Sequence, residues 1–556
     1  MVEFLKIKSA EFDQINYDFK SLKGRHLAIL FLAWLSLFAG VHSIPVAEHE
    51  AYVLQTAREM SVNSDLVLPY FNQTPRLNKP PLNYWLTLGL SYIDPFSDDI
   101  DPWHGRAWSM IAALLLVLAT AYIGTKLYGG PAGFLASALL LSSKGFTVFS
   151  HDARPDFLYS ALCVFQLFAW IAAWRAEDDS RSQRLNAALG WGLAALATLS
   201  KGPQGPAVFL LGFLLFLLCG VDRTRALKVL RPFSGLLICL AICLPWWLSL
   251  QVRVGMLGVN IGETQLSGSL LETSSIKDVA SLFYVSRLLD FLLPASLLVP
   301  LLFFLNRKRF GKPENSDRLF LYVVVIFLIV FTVAGHQRSR YLLPLLPLAA
   351  LLLAKTASRT TGDCIPEKAW KVLFWMEVFA LMVYPAQLIL KEHFATGLLL
   401  LGTGLLLTLL LRKELLEPAW PDHPFATKLL VCFLPVTLIF AGYNSYSVRS
   451  SRIWERDFSL HVAKMLSSGD LLVAVRGYPP VLSYYARHPV ISVNGLDELG
   501  RLQKKTVTTQ NMYLIVTPSV LADVNKICET SMLSPVAGNK NPDNAFVLAK
   551  VSGTCR

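Results

Sequence analysis

Acidic side chains follow directly after the first long apolar stretch of this 556-residue chain. The run Leu27 to Val46 has about 20 residues, enough at 1.5 Å per residue to cross a bilayer core of roughly 30 Å. Glu48, His49 and Glu50 come next. A carboxylate at a membrane surface can take the proton from an incoming hydroxyl group, and partial burial raises its pKa towards the useful range. These three residues are therefore candidate catalytic groups.

The spacing of Glu48 and Glu50 bears on which of them could act. Two residues apart on a helix, they diverge by roughly 200° and cannot face one substrate, whereas in an extended turn they could. One of them is therefore the expected general base, and Glu50 is the favoured choice. The alternative is a solvated helix start, where the helix dipole favours acids.

A second charged set, Asp152, Arg154 and Asp156, lies where two predicted spans meet. Charges this close to lipid are costly unless they face a cavity or one another. Asp156 is therefore a second candidate acid, which could hold a cation or orient an acceptor. The alternative is an Arg154–Asp156 ion pair that caps the helix beginning after Pro155.

Basic residues on the same predicted membrane face supply the opposite charge. They are Arg58, Lys79, Lys201, Arg338 and Arg340. Lys and Arg are disfavoured on the outer face of membrane proteins, so their presence there indicates an anionic partner. A phosphate group fits, with Lys as a point charge and Arg as a two-pronged donor. The alternative for each side chain is that it simply extends to the membrane interface.

Composition identifies the main solvent of the chain as lipid. Hydrophobic residues make up 54% and charged residues 16%, and the formal net charge is +12. The Lys and Arg residues lie in short loops between apolar runs, where retention in the cytoplasm explains them, so nucleic-acid binding is excluded. The sequence indicates a multi-pass membrane protein.

Apolar continuity predicts about 13 spans, and the basic loops place the N-terminus in the cytoplasm. The predicted spans are 27–46, 107–125, 131–149, 157–174, 186–200, 204–220, 233–252, 288–306, 319–335, 341–354, 371–390, 396–411 and 429–446. Residues 1–446 form the predicted membrane domain, with an outer loop at 47–103. An odd number of spans puts residues 447–556 outside.

The tail at 447–556 changes character. Short β-branched runs at 471–475, 490–493, 513–516 and 546–549 alternate with helical segments at 480–486, 496–502 and 520–527. This alternation predicts a small α/β domain. The fold class is therefore an all-α polytopic membrane protein with a small C-terminal extracytoplasmic α/β domain. Cys528 and Cys555 could pair there, although sequence alone does not establish their proximity.

Several short motifs occur in an order that carries a family resemblance. They are Glu50 with Ala57-Arg58-Glu59-Met60, Leu77-Asn78-Lys79-Pro80-Pro81-Leu82 with Tyr84-Trp85-Leu86, Ala153-Arg154-Pro155-Asp156, Leu199-Ser200-Lys201-Gly202-Pro203, Pro245-Trp246-Trp247, and the segment 338–347. Together they resemble the lipid-linked-sugar glycosyltransferases of the GT-C superfamily, in particular the aminoarabinose lipid A transferases and the protein mannosyltransferases. The resemblance covers residues 24 to about 446.

The resemblance implies a function. The donor would be a sugar on a polyprenyl phosphate, and the acceptor lipid A, a glycolipid or another envelope glycan. Transfer would occur on the outer leaflet of a bacterial inner membrane, with inversion at the anomeric carbon. The basic residues named above would bind the donor phosphate. Asn78, Arg154 and Tyr341 would bind the acceptor or support the site. No cofactor is assigned, and a divalent cation is compatible with the carboxylates.

Two positions depart from the family pattern. The family usually has Asp-Glu in the first loop, where this chain has His49-Glu50, with Glu48 as a neighbouring acid that can substitute. Where relatives have Glu before Lys-Pro-Pro, this chain has Asn78. Two other functions stay open: a transporter or flippase for a lipid-linked oligosaccharide, and a noncatalytic envelope scaffold. A transporter would need polar residues at mid-membrane depth, whereas the ionisable residues here gather at the ends of spans.

Overall fold

The computed structural model divides into two compact units. It describes residues 24–38, 41, 44–220, 223–256, 283–306, 314–334, 338–360, 371, 375, 394–416, 425, 427–429, 452–505, 511–533, 537–538 and 545–552. Unit 1 comprises Met1–Val41, Leu77–Asn83 and Arg106–Asn444, and unit 2 comprises His42–Arg76, Tyr84–Gly105 and Ser445–Arg556. The units thus group most of the predicted outer loop with the tail, whereas the sequence-based division attached it to residues 1–446. As functional domains, 1–446 and 447–556 stay a prediction.

Helices dominate the described chain. In chain order they are α1 Gly24–Leu37, α2 Glu48–Val62, α3 Leu82–Ile93, α4 Pro102–Tyr128, α5 Gly130–Leu141, α6 Lys144–Phe149, α7 Pro155–Arg175, α8 Arg181–Lys201, α9 Gln204–Gly220, α10 Arg223–Leu230, α11 Pro232–Met256, α12 Phe283–Phe291, α13 Leu298–Asn306, α14 Asn315–Val333, α15 Leu346–Ser358, α16 Phe394–Leu416, α17 at 452–465, α18 Val481–Ala486, α19 Leu496–Lys505 and α20 Pro518–Val524. Short 3-10 helices occupy Ala295–Leu297 and Ser339–Leu345. Among the described residues, five helical stretches are long and apolar enough to cross a membrane. The multi-pass membrane class is confirmed.

Some apolar runs are not continuous helices. The predicted span 131–149 is wrong as a single helix, because α5 ends before Ser142 and α6 begins after Ser143. Both serine hydroxyls donate to carbonyls of the preceding turn, a local bond that competes with helix continuation. The predicted span 288–306 is interrupted between α12 and α13, where Pro294 cannot donate a helical hydrogen bond. The predicted spans 371–390 and 429–446 lie largely outside the described residues.

Helices α7 and α8 form a close pair in unit 1. The indole of Trp170 on α7 is fully buried and lies against Gly190 of α8, and its ring centroid is 5.4 Å from that of Trp191. A Cβ atom added at Gly190 would fall 2.3 Å from Trp170 Nε1, too close for any real contact. Glycine at this position therefore permits the close approach of the two helices.

We expect Gly190→Ala to destabilise the protein by about 1–3 kcal/mol, because overpacking displaces a buried indole. Gly192→Ala is the matched control, since it lies on the same helix and an added Cβ there meets nothing within 4 Å. That control should keep or slightly raise stability, because alanine is the better helix former. Thermal unfolding of the purified protein in nanodiscs measures both changes. Equal melting temperatures for the two variants would contradict the packing argument.

The short strands of unit 2 form a two-stranded hairpin and a larger mixed sheet. They are β1 Tyr70–Phe71 and β2 Thr74–Pro75, which form a hairpin, and β3 Leu471–Val475, β4 Val490–Val493, β5 Met512–Val516, β6 Thr530–Met532, β7 Ala537–Gly538 and β8 Ala545–Val551. In the larger sheet the order is β4-β3-β5-β8-β6, with β3 parallel to both neighbours and β8 antiparallel. The four strands predicted from the sequence are present. β6, β7 and helix α17 were not anticipated.

Both faces of this sheet are covered. Val473 and Val475 pack on one face with residues of α19 and α20, whereas Leu472 and Ala474 pack on the other with residues of α17 and α18. This alternation follows from the period of two along a strand. Cys528 is buried in the first of these clusters, and Cys555 lies outside the described residues.

The hairpin β1–β2 is held from two sides within unit 2. The carboxylate of Glu59 on α2 accepts the backbone N–H groups of Asn72 and Gln73, the two left-handed residues at the hairpin tip. The Asn72 side chain in turn bonds both the N–H and the C=O of Val490. Because β4 is an edge strand, this amide satisfies backbone groups that a further strand would otherwise pair. The first loop and the C-terminal sheet are thereby joined within one unit.

Candidate functional site

In unit 1 a buried carboxylate is surrounded by cations from distant parts of the chain. Asp156, in the first turn of α7, is 5% exposed, and its Oδ1 lies 2.5 Å from Lys201 Nζ at the end of α8. The Nε of Arg340, in the 3-10 helix Ser339–Leu345, lies 3.5 Å from the same oxygen. We call Asp156, Lys201, Arg340 and Tyr341 the Asp156 cluster. Three of the residues predicted as donor or acid groups are thus brought together.

The pairing around Arg154 differs from the alternative considered for the sequence. Its Nε lies 3.5 Å from Oδ2 of Asp152, so the expected Arg154–Asp156 ion pair is not the principal one. Arg154 is nevertheless close enough for its charge to act on Asp156. Three cations therefore surround two carboxylates, which leaves net positive charge. In the part of the chain that the structure describes, the Nε atoms of Arg154 and Arg340 are buried and make no hydrogen bond.

Aromatic rings flank the ammonium group of Lys201. The centroid of the Tyr341 ring lies 4.5 Å from its Nζ, and that of Tyr159 lies 5.3 Å away. Ring faces attract cations and limit access of water, so they favour a fixed, charged lysine. Gly202 follows with φ +114°, a backbone conformation that other residues rarely adopt, and this lets the chain turn directly after Lys201.

Three further predicted site residues, Asn78, Lys79 and Arg338, also belong to unit 1. The Asn83 amide donates to the carbonyl and hydroxyl oxygens of Ser200, which ties the segment 77–83 to the end of α8 beside Lys201. That segment carries Asn78 and Lys79, both half-buried. Arg338 is exposed at the start of its 3-10 helix. Their roles in binding donor or acceptor stay predictions.

In unit 2, the first turn of α2 separates the two acids. Glu50 is 0% exposed, and its Oε2 accepts the N–H of Ala47 at 2.9 Å, which caps the helix. Glu48 is exposed and His49 is half-buried. Because both acids lie on a helix, they point roughly 200° apart. The helical arrangement is the one observed, with Glu50 turned inward and Glu48 outward.

Arg58 is engaged in structural contacts. Its guanidinium makes two hydrogen bonds to the Asp99 carboxylate and further ones to Gln55 and to the carbonyl of Tyr484, and it stacks 4.6 Å from the Tyr484 ring centroid. Arg487 also bonds Asp99. A guanidinium whose donors are used in this way has little capacity left for a phosphate. The geometry therefore favours a structural role over the predicted donor-binding role of Arg58.

The pKa of Asp99 shows how this contact stabilises unit 2. Burial disfavours the charged carboxylate, but the hydrogen bonds and charge of Arg58 prevail and lower the pKa below its ordinary value. A depressed folded-state pKa stabilises the fold above the unfolded pKa of about 3.9, and this contribution is lost as the pH falls through the folded value.

We therefore expect Asp99→Asn to cost about 1–3 kcal/mol at neutral pH, because Arg58 loses a charged partner. The cost should shrink as the pH falls below about 4, since the wild-type carboxylate then becomes protonated as well. Asp98→Asn is the matched control, because its side chain is exposed next to Asp99. Hydrogen exchange of residues 94–101 in the full-length protein measures both. A pH-independent effect of Asp99→Asn would contradict the argument.

Two charged residues of α17, Arg452 and Glu455, interact electrostatically with the acids of the first loop. Arg452 Nη1 lies 3.7 Å from Glu50 Oε2. Burial raises the pKa of the Glu455 carboxyl, and the negative charge of Glu48 raises it further, against the opposing effect of Arg452. The sequence offered no signal for them, because some 400 residues separate α17 from α2. Among the described residues, no group of three or more His, Cys, Asp or Glu side chains is arranged to hold a metal ion.

Comparisons with known proteins bear on the class. The dolichyl-phosphate-mannose-protein mannosyltransferase family model matches residues 78–248, and the Alg9-like mannosyltransferase family model matches residues 280–396. An undecaprenyl phosphate-alpha-4-amino-4-deoxy-L-arabinose arabinosyl transferase of Pseudomonas savastanoi pv. phaseolicola is 26% identical over 344 residues, 59% of each chain. An uncharacterised protein of Aquifex aeolicus is 24% identical over 397 residues, 71% of this chain and 75% of that protein.

A solved structure has the same fold. The crystal structure of ArnT from Cupriavidus metallidurans bound to undecaprenyl phosphate matches with a TM-score of 0.71 at 17% identity, over 94% of this chain and 97% of that chain. Its apo form matches with a TM-score of 0.69. The fold is therefore the polytopic GT-C fold of these ArnT structures. The two mannosyltransferase family models and the arabinosyl transferase relative make the chain similar to ArnT-like glycosyltransferases of the GT-C superfamily.

Proposed function

We propose that this protein transfers a sugar from a polyprenyl-phosphate donor to an extracytoplasmic acceptor of a bacterial inner membrane. The observation that carries the proposal is the Asp156 cluster. Together with Asp152 and Arg154, this cluster carries net positive charge. The buried Nε–H groups of Arg154 and Arg340 make no hydrogen bond within the described chain. A phosphate oxygen would satisfy such donors. The ArnT crystal structure with bound undecaprenyl phosphate supports this lipid class as the donor carrier.

In the proposed reaction, an acceptor oxygen or nitrogen attacks the anomeric carbon of the donor sugar. The bond from that carbon to the phosphate oxygen breaks, and its electron pair leaves with the polyprenyl phosphate. Lys201, Arg340 and Arg338, with Lys79, stabilise the charge that develops on the leaving phosphate. Asp156, or one of the predicted acids Glu50 and Glu48, takes the proton from the acceptor. The acceptor would be lipid A, a glycolipid or another envelope glycan.

The proposed membrane arrangement follows from the basic loops. It has about 13 spans, a cytoplasmic N-terminus and an extracytoplasmic α/β domain at 447–556. The donor sugar would then be transferred on the outer leaflet. Reporter fusions at residue 130, in a loop predicted to be cytoplasmic, and at the C-terminus, predicted to be outside, would test this topology.

Binding of undecaprenyl phosphate to the purified protein in nanodiscs tests the proposal first, with undecaprenol as the control lipid. We expect the phosphate to bind at least tenfold more tightly, because the alcohol cannot engage the cations. Mass spectrometry of envelope lipids and glycans from cells with and without this chain then identifies the product. Equal binding of the two lipids would contradict the proposal. Movement of an intact lipid-linked sugar across a proteoliposome membrane, without cleavage, would instead indicate a flippase.

A further inference from the structure

The acids of the first loop have a cationic neighbour from the C-terminal part of unit 2. Arg452 Nη1 lies 3.7 Å from Oε2 of Glu50, the same oxygen that accepts the N–H of Ala47. Glu50 is fully buried, so this pair is shielded from solvent on the carboxylate side. A buried carboxylate needs both a hydrogen-bond donor and a counter-charge to remain ionised. Ala47 and Arg452 supply one each.

This pair acts on the start of α2. Glu50 is the third residue of the helix, and its bond to Ala47 fixes the backbone where the helix begins. Glu48 and His49 lie in that same first turn, and they are the members of the acidic motif that reach the surface. Any change in the position of Glu50 would therefore move the two residues that are able to meet an acceptor.

We propose that Arg452 is a positioning residue for sugar transfer, which acts through Glu50 to orient Glu48. Glu48 then takes the acceptor proton, and Glu50 serves as its support. The inference rests on the proposed function and deepens it, because it selects among the carboxylates that the sequence left open. Arg452 is not expected to touch the donor.

Glu455 supports this assignment. It lies three residues after Arg452 on α17, hence on the same helix face, and the charge of Glu48 reaches its carboxyl. Glu48, the exposed acid of α2, is thus within electrostatic range of α17, whereas Glu50 is turned away from solvent. A residue on α17 that holds the start of α2 in register would keep Glu48 at a fixed distance from that face.

Arg452→Ala, Arg452→Lys and Arg456→Ala in the full-length protein test the inference. Arg456 is the matched control, because it lies on the same helix and pairs with Asp457. We expect Arg452→Ala to lower kcat about 10- to 100-fold, since small displacements of a catalytic group cost this much. KM for the donor and undecaprenyl phosphate binding should change less than about twofold, because the cations that hold the phosphate are intact. Arg452→Lys should recover part of kcat, and Arg456→Ala should match wild type.

Several outcomes are decisive. Faster hydrogen exchange at residues 47–52 in Arg452→Ala, together with the selective loss of kcat, supports a positioning role. Wild-type kcat in Arg452→Ala would overturn it, as would equal losses of kcat and donor binding that Arg452→Lys does not recover. If Arg452→Ala fails to fold, Arg452→Lys decides instead. A kcat that is at least partly retained, with unchanged binding of undecaprenyl phosphate, supports charge pairing, whereas equal losses of kcat and of that binding overturn it. If wild-type protein transfers no sugar and binds no undecaprenyl phosphate, the proposed function fails instead.

Discussion

Replacing Lys201 by alanine is expected to weaken the binding of undecaprenyl phosphate by about 10- to 100-fold, the effect of losing one charge-assisted hydrogen bond. Lys201 Nζ is held between the Asp156 carboxylate and the ring of Tyr341, so its position is fixed before a ligand arrives. A fixed cation binds an anion without first being ordered, which is why the expected loss is large. Titration of undecaprenyl phosphate into nanodisc-embedded protein measures it.

The partner of Lys201 provides a test of opposite sign. Asp156→Asn removes the anion that competes with the phosphate for Lys201 and Arg340, so donor-lipid binding should become tighter or stay unchanged. Lys228→Ala is the control for loss of an exposed positive charge. Thermal unfolding of each variant establishes that it is folded. Wild-type affinity in a folded Lys201→Ala protein, or weaker affinity in Asp156→Asn, would contradict the assignment of this cluster to the phosphate.

The second large effect is expected in a separate ion-pair network of unit 1. Lys355, near the end of α15, is 6% exposed and pairs with Asp317 and with Glu314 at the start of α14. Asp317 also accepts the hydroxyl of Tyr128 at 3.0 Å. Removing one partner of a buried ion pair strands the other charges, so Lys355→Ala is expected to cost about 3–5 kcal/mol. A fall in the melting temperature in nanodiscs would show it.

Arg359 is a matched control within the same network. It also pairs with Glu314, but its side chain is 57% exposed, so Arg359→Ala should cost less than about 1 kcal/mol. Below its melting temperature, Lys355→Ala should bind undecaprenyl phosphate as wild type does, because it does not alter the Asp156 cluster. If both variants melt at the wild-type temperature, the network does not stabilise the helices as argued.

The local sequence correctly predicted helices and strands that depend on residues close together in the chain. The strands at 471–475 and 490–493 follow from β-branched runs between turn residues, and the structure has them with the predicted bounds. Helix α7, Pro155–Arg175, contains the predicted span 157–174 and starts with the proline that favours a helix N-terminus. By contrast, the run 131–149 is uniformly apolar, so hydropathy could not reveal the break that Ser142 and Ser143 make.

Residue types alone identified Asp156, Lys201 and Arg340 as chemically unusual, since charge beside a membrane span demands a partner. Which partner each one has was decided only by the tertiary structure: Asp156 meets Lys201 and Arg340, while Arg154 meets Asp152. The same holds for Glu50, which became buried because α2 packs in unit 2 with Arg452 at its start. The physical reason is the distance along the chain over which each kind of interaction acts. Hydrophobic periodicity and turn preferences act within a few residues, whereas charge pairing and burial also depend on contacts between segments that lie tens to hundreds of residues apart in the sequence.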